Sequence, residues 1–402
     1  MLYIVYFDKI GYIFVYSAGE GAFVMVMFKR SIQGGLILAL TVFLFSACGS
    51  NEEPAAASEQ KTKMNHYAEA MKLQDRRDLL EKFMEQRMTG PYGIYTNYLD
   101  SEQNAEAATG HEVLSESAGL LLRYEVRRGE RGPFDQTLAL ATKTFDQSSG
   151  FSYRYSPKLD QRYPVNAAID DLRIIQAMYE AANTFKEEAY RKEADVKGQR
   201  LYQYNVKDGY LYDFYDENLK TVNSFITLCY VNLSVLEQIP AEAGAKKELL
   251  KNMRTIVTNG YLSNDFPFYQ TRYNYSTGSY ESSDSINTVE SLLTILALAE
   301  AGLQKPESIA FIKDKVQSGT LYGSYSRSGQ PRNEVQSTAI YAICAIIGSR
   351  ISDQDLYRDS IKRMQAYQVW DSSSMLNGGF ADQASQQAYS FDNLMALLAY
   401  AY

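Results

Sequence analysis

Cysteine, histidine and tryptophan are nearly missing from this chain. Its 402 residues include three cysteines, two histidines and one tryptophan, Trp370. Cys229 and Cys344 lie in the apolar segments ITLCYVNL and YAICAII, where a thiol behaves as a small core side chain. No disulfide framework can be built from them. His66 and His111 are too few for a histidine-ligated metal centre, and they argue against a Ser-His-Asp triad. No metal and no cofactor is expected. Positive charge is also in short supply, with 40 Lys and Arg against 48 Asp and Glu and a net charge of −8. A nucleic-acid partner is therefore not expected. The apolar run from Gly34 to Phe45 is shorter than the roughly 20 residues that a membrane-spanning helix needs.

That run belongs to a different kind of signal. Lys29 and Arg30 precede it, and Ser46, Ala47 and Cys48 follow it. Basic residues, an apolar core and a small-residue cleavage site make residues 27–47 a secretory signal. The Cys after small residues resembles the lipobox of bacterial lipoproteins, with Phe45 where Leu is usual. The resemblance implies cleavage before Cys48 and diacylation of its thiol. Two acyl chains suffice for stable anchoring. The expected location is the outer face of the bacterial cell membrane. A signal normally starts at its own Met, and Met25 and Met27 both qualify. Residues 1–26 therefore read as an extension or an over-extended start. Residues 48–64 are polar and lack aromatics, as a tether does. Residues 65–402 are the folded domain, expected as a monomer.

Tyrosine is what the chain has in excess: 33 residues. Many cluster between helical segments, in FSYRYSPKLDQRYP, GYLYDFYDENL, DFPFYQTRYNYSTGSYES and GTLYGSYSRSG. A tyrosine offers an apolar ring face and a hydroxyl, which suits contact with sugar rings. Tyr153, Arg154, Tyr269, Arg272 and Tyr280 in these clusters are candidate substrate-binding residues. Packing of hairpin strands on the body would also explain the rings.

The helical segments repeat. Six begin with polar residues and continue apolar almost all round, near SESAGLLLRYEV, AAIDDLRIIQAMYEAA, VNSFITLCYVNLSVL, SDSINTVESLLTILALAEAG, NEVQSTAIYAICAIIG and SFDNLMALLAY. One polar head residue from each gives Glu116, Asp171, Asn223, Asp284, Glu334 and Asp392, spaced 50 to 61 apart. Such a period marks an array of helical pairs. A helix apolar all round is buried, and one with a charged face lies outside. Six of each in alternation predict an all-α fold, an (α/α)6 barrel with aromatic-rich loops or short β-hairpins. Its inner helices run parallel, so their polar heads converge at one mouth.

Two carboxylates across such a mouth can hydrolyse a glycosidic bond. One, kept protonated, donates to the leaving oxygen, and the other takes a proton from water. A separation of roughly 6.5–9.5 Å leaves room for that water and inverts the anomeric centre. Glu116 is followed by Ser-Ala-Gly-Leu-Leu-Leu, an apolar flank that favours its protonated form. Asp284 lies in the polar stretch YESSDSIN. Divergent settings for two carboxyls are the mark of an acid and base pair. The plain alternatives are a carboxylate near a helix dipole for Glu116 and an N-cap of a helix over 285–302 for Asp284.

These residues resemble a known family. VLSESAGLLLRYEVRRGERGPFDQTLALA is similar to the SEGxGYGMLLAVxxxxxxxFDxLW segment of glycoside hydrolase family 8, bacterial (α/α)6 endoglucanases, chitosanases and xylanases. Ser115 and Glu116 fall on its Ser-Glu, and Phe134 and Asp135 on its Phe-Asp. The general acid of the family then corresponds to Glu116. AAIDDLRIIQAM resembles ATDADLDIAYAL, with Asp171 on the second Asp. The first, a sugar ligand, meets Ile169, and Asp170 stands next to it. YESSDSINTVESLL resembles YDAIRVPL, which carries the catalytic base; Asp284 takes that place, and Asn287 stands where the family has Arg. GGFADQASQQAYSFDNLMALLAY resembles the closing GG…YYDQxLxLF segment, with Asp392 on its Asp. The resemblance implies an inverting, endo-acting glycosidase of the six-hairpin superfamily. It assigns Glu116 as acid and Asp284 as base, with Asp170, Asp171 and Asp392 among the substrate contacts. Glu290 would stand behind Asp284 as a supporting group. Tyr in place of Trp platforms suggests a polymer other than cellulose, such as an exopolysaccharide of the biofilm matrix. The alternatives are a non-catalytic polysaccharide-binding lipoprotein, an (α/α) polysaccharide lyase using His111, and a structural scaffold.

Overall fold

The computed structural model describes residues 66–104 and 107–402. The signal segment, Cys48 and the tether lie outside the described residues. After a single helical turn, Tyr67–Ala70, twelve helices follow in alternation. Six form the inner ring: α2 (Ser115–Arg128), α4 (Ala168–Phe185), α6 (Leu233–Gln238), α8 (Thr288–Glu300), α10 (Thr338–Arg350) and α12 (Ser390–Ala399). Six lie outside: α1 (Gln74–Phe83), α3 (Arg131–Phe145), α5 (Glu188–Asn205), α7 (Ala243–Asn259), α9 (Pro306–Ser318) and α11 (Gln354–Gln365). Each inner helix packs on the next, and α12 returns to α2, which closes the ring. The (α/α)6 expectation holds.

Burial follows the residue pattern. In α10 every residue from Thr338 to Ser349 is buried, including Cys344. In α5 only Tyr190, Ala194, Gly198, Leu201 and Asn205 are buried, on one stripe. Gly129, at φ 71°, ends α2 in a left-handed turn that residues with a Cβ adopt at a cost. Gly119 sets how closely α2 and α4 approach, because a Cβ there would lie 2.9 Å from Cβ of Arg173.

The inner helices start at one end of the barrel, and short antiparallel strands decorate that rim. Val113–Leu114 pairs with Arg154–Ser156 and that strand with Gln161–Arg162. Phe225–Thr227 pairs with Arg272–Asn274, in the register Thr227 opposite Arg272, and that strand with Ser279–Tyr280. Most of the tyrosine clusters are therefore hairpins.

The opposite end is a buried ion network. Arg123 Nη2 lies 3.1 Å from Glu180 and 2.9 Å from Glu300, and Arg350 Nη2 lies 3.6 and 3.4 Å from the same two acids. Gln176 and Asn232 also donate to Glu300. The Tyr402 ring lies 3.5 Å from the Arg127 guanidinium carbon, and its carbonyl accepts from Tyr67 N at 3.0 Å. The two ends of the described domain are thus tied to the barrel floor.

Three of the six expected helix heads, Asn223, Asp284 and Glu334, lie outside the helices. Asn223 sits between strands, not at a helix start. Its apolar segment divides into strand Phe225–Thr227, the 3-10 turn Leu228–Tyr230 and the six-residue α6. Asn232, whose side chain accepts from Val235 N, caps that short helix. Glu334 is exposed in a loop, and Ser337 caps α10 by accepting from Ile340 N. The helix expected over 285–302 starts at Thr288 and is capped by Asn287. The cap role considered for Asp284 therefore belongs to Asn287.

Candidate active site at the barrel mouth

Glu116 occupies the first turn of α2, with its side chain 27 % exposed. Among the described residues no helix cap uses its carboxylate. Arg173 Nη1 lies 3.3 Å from Glu116 Oε2 and donates to Asp170 Oδ1 at 2.9 Å. Asp170 and Arg173 are one turn apart on α4 and so share a face. Ser115 Oγ donates to Asp170 Oδ2 at 3.2 Å, and Ser115 N donates to the Tyr153 carbonyl at 3.1 Å. One guanidinium thus serves two carboxyls. Burial pushes the proton affinity of Glu116 up, and the Arg173 charge only partly opposes it. Asp170 shifts the same way: burial raises it, Arg173 draws it down, and the neighbouring Glu116 charge raises it further. Two interacting acids on one cation favour the retention of a proton between them, and Glu116 is the member more open to solvent.

A second pair of acids stands around a second arginine. Thr227 donates from its N and its hydroxyl to the two oxygens of Asp213, each at 2.6 Å. Arg272 Nε donates to Thr227 Oγ1 at 3.2 Å, and the guanidinium lies 4.5 Å over the Phe225 ring. Burial holds the Asp213 carboxyl up to about 6 against the pull of Arg272 and Thr227. Glu290, in the first turn of α8, is pushed up by burial and drawn down by Arg272 and a Thr271 hydrogen bond. The 3-10 turn Leu228–Tyr230 stands between the two sets. Tyr230 is pushed up by burial and by the charges of Asp213 and Asp170 together. Cys229 is pushed up by burial and by Glu290 and Asp213, with Arg173 and Arg272 opposing, so its thiol stays protonated. A cavity of about 50 Å³ runs inward from Arg173, Cys229 and Tyr230 to Gln176, Asn232 and Glu300. It is large enough for water and too small for a sugar.

The structure sorts the remaining expected residues. Arg272 lies in the second acidic set, and Tyr153 is half-buried beside Ser115. Asp284 is exposed on the loop that leads into α8, with its carbonyl accepting from Arg332. Other expectations are corrected. Asp171 faces away from the mouth and accepts from Phe151 N at 2.8 Å and Asn166 Nδ2 at 2.6 Å. Arg154 is fully buried and forks onto Glu112 at 2.9 and 2.7 Å, which leaves no group for a sugar to meet at the surface. Tyr269 is 2 % exposed and packs in the core. Tyr280 is half-buried and donates to the Ile256 carbonyl at 2.5 Å. Asp392 is buried and accepts from Ala339 N at 2.8 Å, capping the start of α10. His111 stacks on Tyr95 at 4.0 Å with its Nε2 3.1 Å from the Tyr98 carbonyl, a placement that does not favour a lyase base.

Sequence reasoning passed over Ser115, Arg173, Asp213 and Tyr230. Arg173 was recoverable, since D-x-x-R on a helix places both groups on one face. Asp213 lies in the bend between strands Tyr210–Leu211 and Tyr215–Asp216, where no sequence period sets which way a side chain turns.

Comparison with known proteins agrees with this architecture. No family model matches the chain. YdaJ of Bacillus subtilis (strain 168), whose name classes it provisionally as a lipoprotein, is 26 % identical over 314 residues, 77 % of this chain and 84 % of that protein. A solved structure described as a novel alpha-amylase from Clostridium perfringens is 30 % identical, with TM-score 0.75, covering 81 % of this chain and 97 % of that one. Endoglucanase Cel10 of Klebsiella pneumoniae, a family 8 glycosyl hydrolase, shares the fold at 15 % identity, with TM-score 0.56 and coverage of 80 % and 97 %.

Proposed function

The chain belongs to the glycoside hydrolases of the family 8-like (α/α)6 fold, and on that premise we propose that it hydrolyses a polysaccharide with Glu116 as the proton donor. The observation that carries this reading is Glu116 itself. It is a carboxyl open to the mouth whose burial favours the protonated form and which shares one guanidinium with Asp170. Such a setting favours the protonated acid, which can give its proton to a leaving oxygen.

The glycosidic C–O bond breaks and its oxygen takes the Glu116 proton. A water attacks the anomeric carbon from the other side and yields its proton to a carboxylate of the opposite wall. Asp284, exposed at the rim, takes that role, and Glu290 with Arg272 holds the sugar. The anomeric configuration inverts. The chain is held to the membrane through lipid on Cys48, a reading supported by the name of the Bacillus relative. The substrate is an exopolysaccharide of the producing cell, cut within the chain. A second substrate class, α-glucan, is favoured by the Clostridium enzyme.

Proton NMR of the digest of either polymer tests this. The first-formed product carries the anomer opposite to the substrate. Asp284→Asn lowers kcat, whereas Glu290→Gln chiefly raises KM. The reverse split would move the base role to Glu290, and retained anomeric configuration would refute the inverting step.

Arg173 offers a pH test. Its charge draws the Glu116 proton affinity down. Arg173→Gln removes that pull, so Glu116 keeps its proton to higher pH. The alkaline limb of kcat/KM reports the acid in the free enzyme and should move upward. A limb that stays in place or moves downward would separate Glu116 from the proton-donor role.

A further inference from the structure

A second depression opens on the rim outside the cleft. It has a volume of about 290 Å³ and is lined by Lys207, Tyr212, Asn223, Ser224, Tyr275 and Ser276, among others. Its walls are the outer faces of the hairpins that build the cleft. Asp213 and Arg272 are buried, whereas Tyr212 and Tyr275 line the depression. The rings are held in advance. Tyr275 donates its hydroxyl to the Leu211 carbonyl at 2.5 Å, and its ring lies 4.5 Å from Tyr212 and 5.1 Å from Tyr210. Around them Lys207, Ser224 and Ser276 are exposed, so an ammonium and two hydroxyls face solvent.

Preset aromatic faces among short polar groups form a surface for a pyranose. The ring offers an apolar C–H face to tyrosine and hydroxyls to Lys and Ser. The volume is close to the lower end of small-molecule sites, about 300 Å³. We propose that this pocket is an accessory glycan subsite, which holds a stretch of the polysaccharide on the rim while another stretch lies in the cleft. The proposal rests on the glycosidase reading and adds a site that the reaction itself does not require. Because one hairpin set forms both walls, the two sites are held at fixed spacing. Binding of the second stretch then becomes an intramolecular event, which raises affinity for long chains over short ones.

The test blocks the pocket from its exposed edge. Ser224→Trp and, on the facing hairpin, Ser276→Trp fill it without touching the cleft. Thr277→Trp on the same turn is the control, exposed and outside the pocket. Release of reducing ends is measured on soluble starch and on the exopolysaccharide of the producing cells. Binding to the same polymers is measured by affinity electrophoresis with Glu116→Gln. Both pocket variants should raise KM for the cleaved polymer about tenfold, the scale of one lost sugar–ring contact, with kcat unchanged. Binding should weaken in parallel, and the control should match the parent protein. Unchanged KM and binding in both variants of an active enzyme overturn the subsite and leave the glycosidase reading intact. A parent protein that neither cleaves nor binds either polymer overturns both.

Discussion

Glu116→Gln should reduce kcat on polysaccharide by about 10²–10⁴-fold, the usual contribution of a positioned acid, with KM nearly unchanged. The amide keeps the shape of the side chain and can still hydrogen-bond, but it has no proton to give to a leaving alkoxide. The local structure should survive, because Asp170 retains its contact with Arg173 at 2.9 Å and its Ser115 hydrogen bond at 3.2 Å. A neutral residue at 116 also removes a charge from beside Asp170, which Glu116 helps to push up. Asp170 should then titrate lower in the variant, an effect visible by NMR of a labelled carboxyl. Full activity in the variant would refute the acid assignment. Loss of polymer binding together with turnover would make Glu116 a structural residue. A non-catalytic binding protein would show no turnover in the parent and unaltered binding in the variant.

The second large effect is on stability. Glu300→Ala should cost about 3–5 kcal/mol, the range for removing one member of a buried ionic cluster. Glu300 is 6 % exposed and Arg123 is 7 % exposed. Burial alone would push the Glu300 carboxyl up, but Arg123 and Arg350 outweigh it and hold the group below the usual carboxylate range. Without Glu300, the acid left to the two guanidinium groups among the described residues is the partly exposed Glu180, 3.1 and 3.6 Å away. The stabilisation from Glu300 is present above its unfolded pKa and fades as pH falls through its lower folded value. The cost of the substitution, read from urea unfolding, should therefore shrink in acid. A change under 1 kcal/mol at neutral pH would mean that the floor network contributes little to holding the ring closed.

The ring was legible because its signal is redundant. Inner helices such as Thr338–Arg350 are apolar on every side, and a hydropathy pattern of that kind has one physical outcome, burial. The third inner element escaped because VNSFITLCYVNLSVL is rich in β-branched and aromatic residues, and tertiary pairing with 272–274 drew its first part into a strand. The site was half legible. Glu116 and Asp170 stand at helix starts, where parallel packing brings them to one mouth. Asp171 and Asp392 stand at equivalent starts, yet one binds a loop and the other caps a neighbouring helix. A one-residue step around a helix turns a carboxylate by roughly 100°, so motif position alone does not say which acid faces the cleft. Arg154 shows the same limit. Its sequence setting is similar to that of Arg272, but Glu112 lies within reach and accepts from its Nε and Nη2.

The central claim is that Glu116 delivers a proton to the leaving group, and a substrate that leaves without one tests it most directly. Glycosyl fluoride expels fluoride with no need for a strong acid. The rate of Glu116→Gln should be compared with that of the parent on polysaccharide and on the matching oligosaccharyl fluoride. A proton-donor role predicts a loss of about 10²–10⁴-fold on the polymer and a rate within about tenfold of the parent on the fluoride. Equal losses on the two substrates, or none on either, would contradict it.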